Sequence, residues 1–219
     1  DLRGPTLTSG FPSTTPVSLV TVGTGAVPGA HGILGFTLRM PDGRILDHIR
    51  WGDDPDPALW QPARTAFDRA AAAGVTVTAV TRPEFEGTGL TVAANQGATF
   101  AGAANAGELA DRMLAALAAG SGPALVYGYH PDLDRAGHSD GVGSEPWVAA
   151  ATGVGELVGR LIDGLPAGTA LLITADHGQV NIPPEGRIDM ATTPGLSDGV
   201  VAVAGEPRVR YLHVANGAR

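Results

Sequence analysis

The chain has 219 residues, 43% of them hydrophobic, which is enough to bury the core of one domain spanning residues 1–219. With 14 Lys and Arg against 22 Asp and Glu, the net charge is −8, and no basic cluster occurs, which excludes a binding surface for polymeric nucleic acid. Cysteine is absent, so any metal must be bound by nitrogen and oxygen ligands. No apolar run reaches the roughly 18 residues of a membrane span, and the start lacks a signal-peptide pattern. The sequence predicts a soluble protein, with the cytoplasm the favoured location.

The first predicted element follows the polar segment GFPSTTP. The run VSLVTV fits a short helix or a strand, and we favour the helix because Pro16 suits a first turn capped by Ser13 or Thr14. Such a helix N-terminus attracts anions and would face a site. Further on, MPDGRIL predicts a hairpin turn around Asp42 and Gly43.

Helical and strand patterns alternate along the rest of the chain. The pattern predicts helices over 62–73, 106–119 and 146–165, strands over 75–80, 124–129 and 170–174, and two short strands in the tail, VVAVA and VRYLHV. Continuous apolar strands between helices indicate an α/β fold with a mostly parallel central sheet and helices on both faces. Ligands of such sheets bind at the carboxyl ends of the strands, where two Asp/His clusters lie.

The first cluster contains Asp134 and His138. Their spacing puts both side chains on one side of a helical turn or a tight loop, and a carboxylate beside an imidazole suits zinc or another first-row divalent ion. The alternative is a solvated loop with an incidental ion pair to Arg135. Asp132 and His130 are weaker candidate ligands.

The second cluster is Asp176-His177-Gly178, directly after the apolar run LLIT. A charged pair at the end of a buried strand is costly to desolvate unless it is paired or bound to metal. A strand that leaves the sheet at a glycine can bring both side chains toward one ion. The alternative is a purely structural pair.

Thr14 is the third candidate. A hydroxyl at a helix N-terminus beside a divalent cation can act as a nucleophile, because the metal lowers its pKa and backbone N–H groups stabilise the developing anion. The alternative is an ordinary N-cap, and Ser13 and Thr15 share this ambiguity.

The ordered set FPSTTP, GAVPGAHGILGF, YGYHPDLDRAGHSDG and LLITADHG resembles the type I phosphodiesterase/nucleotide pyrophosphatase branch of the alkaline phosphatase superfamily. The resemblance implies a three-layer α/β sandwich, of which this chain would be a part. It assigns Thr14 as the nucleophile and as a metal ligand. It also assigns Asp134 and His138 to one metal ion, and Asp176 and His177 to a second.

The same resemblance implies two divalent ions, zinc or alternatively manganese, and attack of Thr14 on phosphorus through a covalent phospho-threonine intermediate. The substrate would be a small phosphoester or a nucleotide. A phosphomonoesterase, a phosphonate hydrolase, a phosphomutase of the same superfamily, or a non-catalytic binding module with an incomplete site are the alternatives. The oligomeric state cannot be read from these motifs.

Two features of the family are missing from the sequence. An Asp on a strand before the nucleophile and a late His in a Gly-x-His-Gly setting have no match, since Asp1 follows no apolar run and His213 lies in a strand-like run. We therefore expect a segment of a longer protein, cut at both ends. His31, behind the nucleophile helix, is expected to have a structural role through a loop carbonyl, and His48 is expected at the surface.

Overall fold

The structure is a computed structural model that describes residues 4–218. Asp1 lies outside the described residues. The helices are α1 Thr15–Thr24, α2 Pro28–His31, α3 Pro57–Trp60, α4 Ala66–Ala72, α5 Gly89–Asn95, α6 Ala106–Ala118, α7 Asp132–Asp140 and α8 Glu145–Gly164, with 3₁₀ turns at Pro83–Phe85 and Pro184–Gly186. The strands are β1 Thr37–Arg39, β2 Ile45–Asp47, β3 Thr76–Thr81, β4 Thr99–Gly102, β5 Ala124–Gly128, β6 Val200–Glu206 and β7 Val209–Val214. None of the described helices is long and apolar enough to cross a membrane.

A parallel sheet in the order β4-β3-β5 carries helices on both faces. Val126 of β5 packs with the α6 and α8 side chains of one hydrophobic cluster. The next residue, Tyr127, packs instead on Phe67 of α4, with ring centroids 5.4 Å apart. Successive strand residues face opposite sides, so α4 and the α6–α8 pair cover opposite faces. The mixed α/β class with a helix-flanked parallel sheet is confirmed.

Helix α1 forms a second core with α5. Val20 packs there with Leu90 and Ala93, and Gly23 lies against the backbone of Ala94, where a Cβ atom would overlap the carbonyl. The predicted helix after GFPSTTP is therefore confirmed, with Thr14 as its N-cap residue. This packing fixes the direction in which the N-terminus of α1 points.

An antiparallel sheet in the order β2-β1-β6-β7 joins the two ends of the chain. The predicted hairpin turn is present: Gly43 donates to Met40, and β1 pairs with β2. Both predicted tail strands are present as β6 and β7. The pairing of β6 with β1, through Gly205 and Thr37, connects elements far apart in sequence, and local patterns do not reveal such a pairing.

One strand prediction is wrong. Residues 170–175 follow α8 as an irregular, mostly exposed segment that pairs with no described strand, and Leu172 is 92% exposed. The apolar run looked like a buried strand, but strand structure requires a neighbour that supplies backbone hydrogen bonds. Helix α5 and strand β4 were not predicted, because their short sequences lack a clear period.

Candidate active site

Thr14 lies where the chain enters α1. Pro16 occupies the first turn, where its missing N–H costs no hydrogen bond, and the helix begins with the Ser18 N–H donating to the Thr14 carbonyl at 3.0 Å. The Thr14 side chain is 1% exposed and makes no capping hydrogen bond. Its Oγ1 has no hydrogen-bond partner among the described residues. The ordinary N-cap explanation therefore does not account for this hydroxyl, since a buried polar atom normally has a partner.

Asp134 and His138 lie one turn apart on α7. The His138 Nε2 atom is 3.5 Å from Asp134 Oδ1, as their spacing predicted for a helical turn. Both residues are helical, so the loop placement is wrong, and the metal-binding role of the pair stays a prediction. Parallel strand β5 directs the chain into this helix, so the pair lies at the carboxyl end of the sheet.

Asp176 and His177 lie in the irregular segment after residue 175. The His177 side chain is nevertheless only 6% exposed. Its Nε2 lies 3.1 Å from the Thr15 hydroxyl, 3.5 Å from Asp176 Oδ2 and 3.9 Å from Asp134 Oδ1. These contacts join the two Asp/His pairs and the start of α1 in one cluster.

The hydrogen bonds of His177 define which ring nitrogen carries a proton. Nδ1 lies 3.0 Å from the Gly178 carbonyl, which can only accept, so Nδ1 is protonated. In the neutral imidazole Nε2 then accepts the Thr15 O–H. A backbone carbonyl that holds Nδ1 in this way leaves Nε2 as the ring nitrogen that can bind a ligand.

Gln179 connects the segment after His177 to α7 and α8. Its side-chain N–H donates to Asp134 Oδ1 at 3.0 Å and to the Asp134 carbonyl at 3.1 Å. Its Oε1 accepts from the indole of Trp147 at 2.9 Å, which fixes the orientation of the amide. A Cβ atom at Gly137 would overlap the Gln179 amide, so this approach requires glycine in α7.

Thr14, Asp134, His138 and His177 line one small cavity of about 60 Å³, and Gln179 and Arg208 line it too. The sequence reasoning missed both of these residues. Gln179 could have been proposed from the sequence, because it is a polar residue two positions after the Asp176-His177 pair. Arg208 had no such signal, because only tertiary structure brings the β6–β7 turn to this cavity. A wider cleft of about 570 Å³ lies elsewhere, along residues 188–191 and the β6–β7 hairpin.

Tyr129 directly follows β5, and its phenol lies at the edge of the cluster. Burial, and next the negative charge of Asp176, raise the pKa of Tyr129 well above its usual range. The same two causes raise the pKa of Tyr127. Both phenols therefore stay protonated at neutral pH.

The donor set fits first-row divalent ions only in part. Carboxylate and imidazole ligands suit zinc, and the buried Asp176 Oδ2 and Thr14 Oγ1 atoms lack hydrogen-bond partners in the described part of the chain. However, within residues 4–218 no three His, Asp or Glu side chains are grouped as one metal site. The two pairs could thus each contribute two ligands, but neither pair forms a closed site.

The weaker candidates have other partners. Asp132 accepts two hydrogen bonds from Arg82, at 2.5 and 2.6 Å, and His130 Nε2 lies 3.5 Å from the same carboxylate. Burial lowers the pKa of His130. His213 lies within β7, as its strand-like run predicted. The Arg82–Asp132 pair links the end of β3 to the start of α7.

Two other histidines lie in the core. His31 has a structural role, but its partners are not the expected loop carbonyl: Nδ1 accepts from the Ile33 N–H, and Nε2 lies 3.0 Å from the Thr21 hydroxyl. Burial lowers the pKa of His31 to about 4. The surface expectation for His48 is wrong, since the side chain is fully buried. Nδ1 donates to the Gly35 carbonyl and Nε2 accepts from Trp60, which satisfies both nitrogens.

An α/β fold that gathers a hydroxyl, carboxylates and imidazoles at one sheet edge is typical of metal-dependent hydrolases. The family model for type I phosphodiesterase/nucleotide pyrophosphatase matches residues 1–217, and the chain belongs to this family. No functionally curated protein matches the sequence.

Among solved structures, the chain is similar to a phosphonoacetate hydrolase from Sinorhizobium meliloti 1021 in complex with phosphonoformate, with a TM-score of 0.50 and 18% sequence identity. The match covers 71% of this chain and 44% of the other. The chain therefore spans less than half the length of that protein. At this identity the likeness shows the fold alone, which agrees with the mixed α/β architecture of the chain.

Proposed function

We propose that this chain carries the nucleophile and part of the metal-binding residues of a phosphodiesterase or nucleotide pyrophosphatase. The observation that carries the proposal is the Thr14 hydroxyl, which is buried, unpartnered in the described residues, and lines one cavity with Asp134, His138 and His177. Family membership supports phosphoester hydrolysis as the reaction class.

Asp134 and His138 would hold one divalent ion, and Asp176 and His177, together with Thr14, would hold a second, zinc or alternatively manganese. When bound, such ions neutralise charge on the phosphoryl group and lower the pKa of a coordinated hydroxyl. The four side chains supply carboxylate oxygens and imidazole nitrogens, and the Gly178 carbonyl orients the His177 ring.

Thr14 would attack phosphorus through Oγ1, forming a bond to phosphorus as the bond to the leaving group breaks. The first-turn N–H groups of α1 have no partner within the helix and favour negative charge at this end. Water would then hydrolyse the phospho-threonine ester and restore the hydroxyl. Burial of Thr14 limits the access of competing water during the first step.

The test is turnover of bis(4-nitrophenyl) phosphate by the full-length protein with zinc or manganese. We expect Thr14→Ala to lower kcat by about a thousandfold or more, because the variant removes the attacking atom. Metal content should stay largely intact, because the four Asp and His ligands remain. Ser13→Ala tests the neighbouring alternative. The Ser13 hydroxyl is already paired with Ser9 at 2.8 Å, so this variant should keep most of the activity.

Two outcomes would contradict the proposal. Unchanged turnover in Thr14→Ala excludes Thr14 as the nucleophile. Absence of both bound metal and turnover in the wild-type protein favours the non-catalytic binding module instead. Cleavage of phosphonoacetate without cleavage of diesters would favour a phosphonate hydrolase, an alternative suggested by the similar solved structure.

A further inference from the structure

Arg208 is a cationic side chain at the candidate active site. It lies in the turn between β6 and β7 and lines the same cavity of about 60 Å³ as Thr14 and His177. Among the described residues that line this cavity, it is the one Lys or Arg. The turn comes from the antiparallel sheet, so Arg208 reaches the site from a different layer than the two Asp/His pairs.

Arg208 is held in place by two partners. Nε and Nη2 both lie 2.9 Å from Oε2 of Glu206, whose side chain is 1% exposed, and Nη2 also donates to the Ser13 carbonyl at 2.8 Å. These bonds occupy one edge of the planar guanidinium. Within the described residues Nη1 makes no hydrogen bond, so its two N–H groups are available to a ligand.

The depth of the side chains indicates which part of a substrate Arg208 can reach. Thr14 is 1% exposed and the His177 side chain 6%, whereas the Arg208 side chain is 45% exposed. The group under attack must lie against the buried Thr14 hydroxyl. Arg208 therefore lies nearer the solvent, where the part of a substrate beyond the reacting phosphoryl group would project.

We propose that Arg208 is a specificity-determining residue that binds a second anionic group of the substrate, such as a further phosphate or a carboxylate. The inference rests on the proposed function for the location of the reacting group. It predicts a preference for phosphoric or phosphonic compounds with two anionic groups over those with one.

The mode of binding follows from the ion pair. Glu206 and Arg208 together carry no net charge, so attraction by a net field is weak and the directed N–H groups provide the interaction. Lysine cannot replace this arrangement, because one ammonium cannot both satisfy Glu206 in a fork and present further donors at a fixed position. The alternative is that Arg208 only neutralises the buried Glu206.

A matched pair of probes separates these roles in the metal-loaded full-length protein. Adenosine 5′-monophosphate has one phosphate group, and the α,β-methylene analogue of ADP adds a second that is not hydrolysed. Calorimetric titration gives the Kd of each. We expect Arg208→Lys to raise the Kd of the methylene analogue about tenfold and that of the monophosphate less than twofold, as for one lost charge-assisted contact. Arg210→Lys, two residues along the hairpin, is the control and should change neither value.

A second variant controls for a folding defect that an unpaired Glu206 would cause. The double variant Glu206→Gln/Arg208→Gln removes both charges and should show the same selective loss. Equal losses for both probes, or no loss for either, would overturn the inference, as would a wild-type protein that binds the two probes equally or not at all. Turnover of the nitrophenyl diester is measured separately. Selective Arg208-dependent binding without turnover would contradict the hydrolase proposal and leave the inference standing.

Discussion

Two apolar runs, each followed by Asp and His, differ sharply in the structure. Residues 124–128 form β5, which pairs with β3 over five residues and leads into α7. The run before Asp176 forms no strand and is mostly exposed. Nevertheless the His177 side chain is nearly as buried as the core, while that of His138 is 70% exposed.

The difference shows two ways of positioning a candidate ligand. Asp134 and His138 are positioned by regular secondary structure, because one turn of α7 sets their separation. Asp176 and His177 depend on contacts with other elements, chiefly Thr15 of α1 and the chain of hydrogen bonds through Gln179. The link between the regions is therefore a small number of side-chain contacts, which mutations can test one at a time.

Among the variants that test the link between these two regions, Gly137→Ala should have the largest effect, because it breaks the link from the α7 side. The new Cβ would overlap the Gln179 amide and displace it from Asp134 and Trp147. Loss of these hydrogen bonds costs about 1–3 kcal/mol, so we expect turnover to fall roughly 10- to 100-fold. Hydrogen exchange should become faster in residues 170–181 but not in β5.

Gly153→Ala is the matched control for that variant. Gly153 lies in α8, where an added Cβ meets no atom within 4 Å, so the change only adds helix propensity. Equal behaviour of the two variants would show that Gln179 does not join the two regions.

Asp132→Asn should instead destabilise the first region, which consists of β5 and α7. The change leaves the largely buried guanidinium of Arg82 without its carboxylate, and we expect a loss of about 2 kcal/mol in the free energy of unfolding. Asp111→Asn disrupts an exposed ion pair with Arg160, 2.6 Å long, and should cost less than about 1 kcal/mol. Urea unfolding measures both. A similar small loss in the two variants would mean that the Arg82 pair does not stabilise the start of α7.

Acid should destabilise the packing around α1, because His31 lies 3.0 Å from the Thr21 hydroxyl of this helix. Helix α1 in turn contacts His177 through Thr15. Burial lowers the pKa of His31 from 6.5 to about 4, so the unfolded chain binds a proton first as the pH falls. The contribution is complete above pH 6.5 and is lost toward pH 4, by about 1.4 kcal/mol per pH unit. Urea unfolding at pH 7 and pH 5 should show a shallower dependence for His31→Gln than for the wild type. Parallel pH dependences would contradict this.

The smallest predicted effect is the coupling across Gln179. We expect a double-mutant cycle of Gln179→Met and Trp147→Phe to give an interaction energy of about 1 kcal/mol, because the indole N–H orients the amide. The energy is read from the unfolding of the two single variants and the double variant. Additive effects would show that Trp147 merely packs beside Gln179.

Much of the fold could be predicted from local sequence. Pro16 and the hydroxyl residues before it marked the start of α1, and the apolar faces of α6 and α8 gave helices with ends near the observed ones. These signals act over one or two helical turns, so nearby residues suffice. The run before Asp176 failed for the opposite reason: an apolar run is compatible with a strand, but its partner must come from elsewhere in the fold.

Burial could not be predicted in the same way. His48 lies in a polar-looking segment, yet Gly35 and Trp60 satisfy its two nitrogens and allow full burial. Thr14 looked like an N-cap, and only the structure shows that its hydroxyl makes no capping bond. In both cases the surroundings of the side chain are set by the fold, and the neighbouring residues in the sequence do not reveal them.

The sequence by itself determined the family, the α/β class and the five candidate residues, because short motifs specify chemical groups and their order. Their roles in catalysis and metal binding stay predictions. Tertiary structure alone decided that the two Asp/His pairs approach within 3.9 Å, that Gln179 joins them, and that Arg208 reaches the same cavity. The physical reason is that these contacts depend on packing between α1, α7, α8 and the β6–β7 turn, which no local period encodes.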